Sequence, residues 1–579
     1  MSVRRWKTLL RPAGLGLNTK LSPYLLPTER ASELAGLCTF QSGGLAHSKG
    51  REGIATLDSS ETIYGIAPID VRLAAGQSQV GVLVKAGTHL KLLYKGLVSN
   101  YSSGFTSVGG ELRATNLPDQ AFVTDGIDDV KVIYYDSGWT VRDAGIEGPS
   151  GAPTVTVYDS GGQLGEGSYL VCYRYYNSKS GHRSKPSPIT KATVSTSGNT
   201  HKLTVRVEKS SQTGVDKIEI FRTTANGSIL WLDKTVSNAD GDYDIGVDTN
   251  DLSIGIGRYW EEWIHDSDWH SEPPPKCKYI KYYQGVVFCG GRVGTTNLGD
   301  AEIAFSIPDF PYAFPAENRW CAGAAEKTLT GFAVVGDALY AFFTSSIVKI
   351  QRVGNQLTFI GNVFGNSIGC MWPNSLIDTG DFAAFFGRDS VYLLTPAGIS
   401  DIGTEIADII QSLDSDSAPV ACGYEPLYKE LWWYFSGDWA LVYSLPEKVW
   451  RKELLRRGDY ACTAPQKAET SGGSGAVLYV VAGRQLFAES RGIYNGAPSS
   501  GYTVYGTVTS TGKQVVDSSA TFKTSGMGYK GLLVYILSGD NAGISRLITD
   551  NTSTSLTTSD FPNSFAVGDK YAIAPVPSG

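Results

Sequence analysis

Leu431-Trp432-Trp433-Tyr434-Phe435 is followed, after a short turn, by Trp439-Ala440-Leu441-Val442-Tyr443. Both runs are apolar throughout, and their aromatic content favours strands. Adjacent residues of a strand point to opposite faces, so a strand that is apolar at every position has to bury both. A sheet with one face in water would carry a polar residue at every second position. Two such strands joined by a tight turn read as a hairpin that needs cover on both sides.

The same unit recurs on either side. Gly285-Val286-Val287-Phe288 leads to Ala304-Phe305, and Phe332-Ala333-Val334-Val335 leads through Gly336-Asp337 to Leu339-Tyr340-Ala341-Phe342-Phe343. Phe382-Ala383-Ala384-Phe385-Phe386 turns at Gly387-Arg388-Asp389 into Val391-Tyr392-Leu393-Leu394, and Val477-Leu478-Tyr479-Val480-Val481 leads to Gln485-Leu486-Phe487. Counted from Gly285, Phe332, Phe382, Leu431 and Val477, the steps are 47, 50, 49 and 46 residues. Hairpin units repeating at this spacing predict propeller blades, none of which buries its own faces without neighbours. Leu431, Trp433 and Phe435 are expected in one layer between blades, Trp432 and Tyr434 in the other. Phe342 and Phe385 are further expected core residues.

Upstream, Val80-Gly81-Val82-Leu83-Val84 and Ala121-Phe122-Val123 begin two more such units, with a step of 40 residues from Gly81 to Ala121. The fold expected is therefore all-β: a propeller-like ring of about six or seven hairpin blades, with an inserted sandwich and a small C-terminal β module. Residues 61–148 hold the first blades and 285–495 the remainder. Between them, residues 153–256 carry short alternating strands such as Leu203, Val205 and Val207, bounded by Pro and Gly, which predicts a fibronectin- or immunoglobulin-like sandwich. Residues 257–284 are an aromatic, acidic connector ending in Pro273-Pro274-Pro275, and 500–579 form a separate turn-rich module. Residues 1–60 lack periodicity. They are too apolar for a disordered tail and read as an arm docked on other structure, with Leu15, Leu17, Tyr24 and Leu25 as its contact residues.

Composition agrees with an all-β chain. Among 579 residues there are 67 Gly, 31 Tyr and 21 Phe but 3 Met, and long amphipathic helical patterns are almost absent. The short segment around Ile406, Ile409 and Ile410 is the best helical candidate. A net charge of −7 supplies no global field that would draw the chain onto nucleic acid. The 8 cysteines include no C-x-x-C pair, and several sit in apolar runs, which reads as buried free thiols. No signal peptide and no membrane-spanning run is read from the sequence.

Motifs that could carry chemistry are isolated. Gly365-Asn366-Ser367-Ile368-Gly369 fits the nucleophile elbow of hydrolases, which needs a following helix and a later His; Pro373 and the β pattern argue against it, and the last histidine is His270. His265 and His270 flank Asp266 and Asp268 but match no standard ligand spacing. Asp240, Asp242 and Asp244 alternate, yet Ile245 and Asp251 stand where a calcium loop needs Gly and Glu, so a solvated acidic loop is expected. Asp136-Ser137-Gly138-Trp139-Thr140 resembles half of a sialidase Asp-box. No catalytic residue, metal ligand or cofactor site is assigned, and no enzymatic activity is expected.

The order of features carries more. A Gly-Leu-Asn-Thr-Lys-Leu-Ser-Pro arm at 16–23 precedes two blades, the Tyr-rich sandwich, and a Pro-Pro-Pro-Lys-Cys lead-in at 273–277. Ala304-Phe305-Ser306-Ile307-Pro308-Asp309-Phe310-Pro311-Tyr312-Ala313-Phe314-Pro315 follows, then Leu339–Ile350, Ser367-Ile368-Gly369-Cys370 and the Gly387–Tyr392 turn. Over residues 1–490 this order resembles the tail nozzle (tail tubular, head-to-tail channel) proteins of short-tailed bacteriophages. The resemblance implies a structural virion protein that assembles as a hexamer below the portal and adaptor. It also implies tail fibres and a distal plug or knob as partners, and a bore that retains and ejects double-stranded DNA without binding it specifically. Such a protein resides in the virion tail and is assembled in the host cytoplasm. The alternative class is a receptor-binding tail-fibre or adhesin protein, also all-β and modular. A propeller glycosidase would need paired carboxylates on one pocket, which the sequence does not place.

Overall fold

The computed structural model describes residues 37–574, apart from short stretches of which 40–44, 73–77, 255–271, 295–297, 322–327, 466–474 and 493–503 are the main ones. Leu15, Leu17, Tyr24 and Leu25 therefore lie outside the described residues. The chain divides into two compact units, residues 115–324 and the remainder.

The fold is all-β and of the propeller class. Among the described residues, seven four-stranded antiparallel sheets have the form of blades. Six are simple meanders, their strands pairing in chain order. In the first unit these begin at Ile63–Arg72, Leu329–Val335, Ile377–Asp378 and Pro419–Glu425. The other two begin at Arg113–Asn116 and Tyr279–Tyr283.

The seventh blade is assembled differently. Tyr460–Pro465, Ala476–Ala482 and Gln485–Gly492 are joined on the outer edge by Gly50–Thr56, which pairs antiparallel with Gln485–Gly492 through two register shifts. Residues 50–56, assigned from sequence to the arm, are thus a blade strand supplied from the other end of the chain. Without it the last blade would present an unpaired edge. The segment after it is pinned as well. Leu57 donates its N–H to the carbonyl of Arg484 at 2.9 Å, and buried Asp58 accepts from the backbone of Ser60 and Glu61 and pairs with Lys91 of the first blade.

The strand Glu430–Phe435 is buried at all six positions. Leu431, Trp433 and Phe435 pack with Phe386, Val391 and Ile406 of the preceding blade, while Trp432 and Tyr434 pack with Leu478 and Val480 of the following one. Phe342 and Phe385, on consecutive blades, meet edge-on with ring centres 5.0 Å apart. The helical candidate is a 3-10 turn, Thr404–Ile406, running into Ala407–Gln411.

In the second unit, Thr154–Tyr158, Lys202–Val207 and Gly241–Ile245 form one sheet of the inserted sandwich. Gly167–Tyr176, Thr190–Val194, Lys217–Arg222 and Trp231–Ser237 form the other. Tyr169, Val171, Tyr173 and Tyr175 project into the core between them, with Leu203, Val205 and Val207 opposite. The two chain crossings at the root touch: a Cβ on Gly145 would lie 2.4 Å from Pro273, so only glycine fits there. The C-terminal module has a four- and a three-stranded sheet, and its core of Val534, Ile536, Ile544 and Tyr571 extends onto Phe487 of the last blade.

Candidate functional site

In the first unit the first strands of successive blades run side by side, and hydrogen bonds cross from one to the next. Pro419–Glu425 alternates buried and half-buried residues, so Val420, Cys422 and Tyr424 share one face. Thr463 Oγ1 accepts from Tyr424 N at 3.2 Å and donates back to Tyr424 O at 2.6 Å, tying two inner strands together. Arg113, which opens the strand Arg113–Asn116 and still belongs to the first unit, donates Nη2 to Glu111 at 3.0 Å and to Asn374 Oδ1 at 2.7 Å. Asn374 sits in the 3-10 turn Pro373–Ser375 that leads into Ile377–Asp378.

The turn itself is held by Ser375. Its hydroxyl donates to Trp372 O at 2.6 Å and accepts from Phe386 N at 3.0 Å, and the neighbouring Cys370 thiol donates to Trp372 O at 3.2 Å. Burial pushes the Cys370 thiol up to about 11, and burial likewise drives Cys422 and Cys462 upward. These are protonated, unreactive thiols at neutral pH. Tyr460 is raised to about 12 by burial and by the charges of Glu111 and Asp459. The array is therefore one of satisfied hydrogen bonds between blades, suited to cross-bracing.

A second polar cluster lies under Trp432. Arg451 makes a two-pronged pair with Glu430, both bonds 2.7 Å, and reaches Glu453 at 2.8 Å. Arg456 pairs with Glu489 at 2.7 Å, and Glu489 also accepts the Tyr434 hydroxyl at 2.9 Å. The two guanidiniums lie 5.4 and 5.6 Å from the Trp432 ring. Its position in the layer between the last two blades makes it an ionic seam inside an otherwise aromatic core.

An open cleft of about 620 Å³ lies where Ile63, Val420, Phe435 and Tyr460 meet the turns carrying Asp438, Arg457, Asp459 and Arg484. Asp459 receives two bonds from Arg457, at 3.0 and 3.1 Å, and one from Gly483 N at 2.7 Å. The rim is of mixed charge, with Arg457 and Asp459 paired and Arg484 donating to the Ser60 carbonyl, over an apolar floor. That favours contact with a polypeptide over capture of a small ion.

The motifs singled out from sequence resolve as follows. Ser367 is exposed, and the next helical element among the described residues is the 3-10 turn Pro373–Ser375 rather than the α-helix the motif needs. Gly369 packs so closely on the 343–346 turn that a Cβ would lie 2.3 Å from Phe343 O, so the glycine serves close packing. His265 and His270 fall outside the described residues, as do Asp136 and Ser137 of the half Asp-box; Trp139 of that box is buried edge-on against Tyr135. The acidic run corrects the loop expectation: Asp242 and Asp244 lie on the strand Gly241–Ile245. Asp244 bonds Lys202 and Thr204 across the sheet, each at 2.6 Å, and these bonds hold its carboxyl below the usual range. Among the described residues no group of three or more His, Cys, Asp or Glu side chains is placed to hold a metal ion. Trp432, Trp433, Phe342 and Phe385 are fully buried. Sequence reasoning missed Arg113, Glu430, Arg451, Arg456 and Glu489. The one local signal was a charge beside an otherwise apolar run, as in Leu486-Phe487-Ala488-Glu489.

No protein-family profile and no curated protein matches the chain. Among solved structures, Sqt1 of Saccharomyces cerevisiae matches at 8% identity, covering 76% of this chain and 98% of that one, with a TM-score of 0.32. Apo AztD from Citrobacter koseri matches at 8% identity over 74% and 99%, with a TM-score of 0.27. The WD40 domain of Neurospora crassa Pan2 matches at 7% identity over 50% and 84%, with a TM-score of 0.24. Likenesses this weak carry no argument, and the propeller assignment rests on the blade sheets themselves.

Proposed function

We propose that the chain is a structural virion protein, the tail nozzle of a short-tailed bacteriophage, forming a ring below portal and adaptor through which genomic DNA is held and released. The observation that carries this reading is the order of modules. Two blade sheets come first, a complete sandwich is inserted after Trp139–Asp143, and blades resume at Tyr279–Tyr283. This is the order on which the resemblance to nozzle proteins rests.

The interior supports a mechanical role. Blade strands are aromatic and buried on both faces, and the ionic groups between blades are paired. The cleft lined by Phe435, Tyr460 and Arg484 has a floor and rim suited to another polypeptide. A net charge of −7 per copy suits DNA sliding past without being held, since tight binding needs many basic phosphate contacts.

Electron microscopy of the purified protein, with native mass spectrometry, tests the reading. Sixfold rings are the expected result. A trimer would favour a fibre or adhesin, and a monomer that is not recruited by portal–adaptor complexes would overturn the proposal.

A further inference from the structure

At the root of the inserted sandwich, side chains from three elements stack on one another. Arg142 belongs to the blade strand Trp139–Asp143, Tyr312 to the loop after Glu302–Phe305, and His182 to the turn after the sandwich strand Gly167–Tyr176. The Arg142 guanidinium lies 5.1 Å from the centre of the Tyr312 ring and 5.3 Å from that of Tyr134. Its Nη2 donates to the Tyr312 hydroxyl at 2.8 Å, and that hydroxyl donates to Gln120. The imidazole of His182 packs against Tyr312 with ring centres 5.2 Å apart. His182 is 9% exposed, and its Nε2 is buried with no hydrogen-bond partner.

The charges that act on this imidazole are guanidiniums. Arg142 approaches from the blade, Arg174 and Arg183 from the sandwich. Glu219, on Lys217–Arg222, is the carboxylate of the cluster, and it is already held by Arg174 at 2.8 Å and Arg183 at 3.2 Å. Lys185 and Glu272, also at the root, pair with each other at 3.2 Å. A proton added to His182 would thus place a fourth cation against three guanidiniums, with its N–H unanswered.

We propose that Arg142, Tyr312 and His182 form an acid-released latch, which holds the sandwich against its blades while the imidazole is neutral and opens when it takes up a proton. Burial, and then the charges of Arg142, Arg183 and Arg174, draw His182 down to about 3 in the closed state. Once released into water it returns to about 6.5. The closed state binds the proton less well than the open one. Latching is therefore full above about pH 6.5 and weakens about tenfold for each unit below it, until the closed-state value is reached. The latch concerns how the sandwich is held and does not depend on the nozzle reading.

Hydrogen exchange of the full-length protein, corrected for intrinsic rates, reads the latch in residues 177–187 and 307–315. Between pH 6.5 and 4.5 their protection should fall about fiftyfold, while the blade strand Glu430–Phe435 stays protected. The variant His182→Gln, which cannot be protonated, should abolish that pH dependence. Equal protection at both pH values in the wild type, or an unchanged loss in the variant, would overturn the proposal. Should the variant fail to fold, exchange of the His182 ring C–H in the wild type still decides. A titration near 6.5 in the intact protein refutes the latch, and one several units lower supports it.

Discussion

The indole N–H of Trp433 donates to the carbonyl oxygen of Ser375, 2.8 Å away in the turn that opens the preceding blade, while the adjacent Trp432 donates to Glu430 at 3.2 Å on the opposite face. The two rings belong to different layers. Each is fully buried in its own layer. Trp432→Ala and Trp433→Ala should each cost on the order of 3–5 kcal/mol, read as a lower melting temperature. Wild-type stability in either variant would mean that the ring is dispensable to its layer.

Glu489 is fully buried and accepts both the Arg456 guanidinium and the Tyr434 hydroxyl. Removing it alone strands a buried cation, so Glu489→Ala should lose about 3–5 kcal/mol. Replacing both ions with apolar residues of similar volume, Arg456→Met with Glu489→Leu, should recover much of that loss. Denaturant titration of the single and double variants measures the coupling; simple additivity would show that the pair does not act as a unit.

Asp58 gives the protein an acid-sensitive joint. Burial alone would raise its carboxyl, but Lys91 and the N–H groups of Glu61 and Ser60 outweigh burial and hold it far below the usual carboxylate range. The folded value is the depressed one. Its contribution is thus present above the unfolded value of about 3.9 and drains away as the pH falls below that. Asp58→Asn should melt lower than the wild type at neutral pH and lose less on going from about pH 5 to pH 3. Parallel pH profiles of the two proteins would rule the joint out.

The serine of the Gly-Asn-Ser-Ile-Gly stretch should be dispensable. Ser367→Ala is expected to leave stability and assembly unchanged. Gly369→Ala pushes a methyl group into Phe343 O and Ser346 N, 2.3 and 2.5 Å away, and should cost about 1–3 kcal/mol. Thermal melts of the two variants separate packing from chemistry, and a stable Gly369→Ala would contradict the close approach.

Truncation distinguishes the closing strand from what precedes it. If residues 1–36 dock on a neighbouring copy or on the adaptor ring, their removal should leave a folded chain and impair assembly. Removal of residues 1–56 takes away the partner of Gln485–Gly492 and should lower the melting temperature and promote aggregation through the bared edge. Equal stability of the two truncations would show that Gly50–Thr56 is not needed for closure.

The sequence by itself determined whatever depends on neighbours a few residues away. Period-two and all-apolar runs, with turns of Gly and Asp between them, marked the hairpins around Phe342, Phe385 and Trp432-Trp433 and set both faces of Glu430–Phe435 in the interior. Pro and Gly boundaries marked the inserted sandwich, because a chain can leave and rejoin a sheet only where its backbone need not stay paired. What only the tertiary structure decided depends on partners far along the chain. Gly50–Thr56 holds two glycines and two register shifts, so it shows little strand character until Gln485–Gly492 lies beside it. Asp242 and Asp244 read as loop residues, because nothing local reveals that Arg206 and Thr204 stand opposite on the paired strand, with Lys202 in reach of Asp244. Glu430, Arg451, Arg456 and Glu489 carry little local signature, since burial of an ion becomes affordable only where an opposite ion arrives from another strand. The Arg142–Tyr312–His182 stack is the extreme case: its members are 40 to 170 residues apart, and the third dimension alone brings them together.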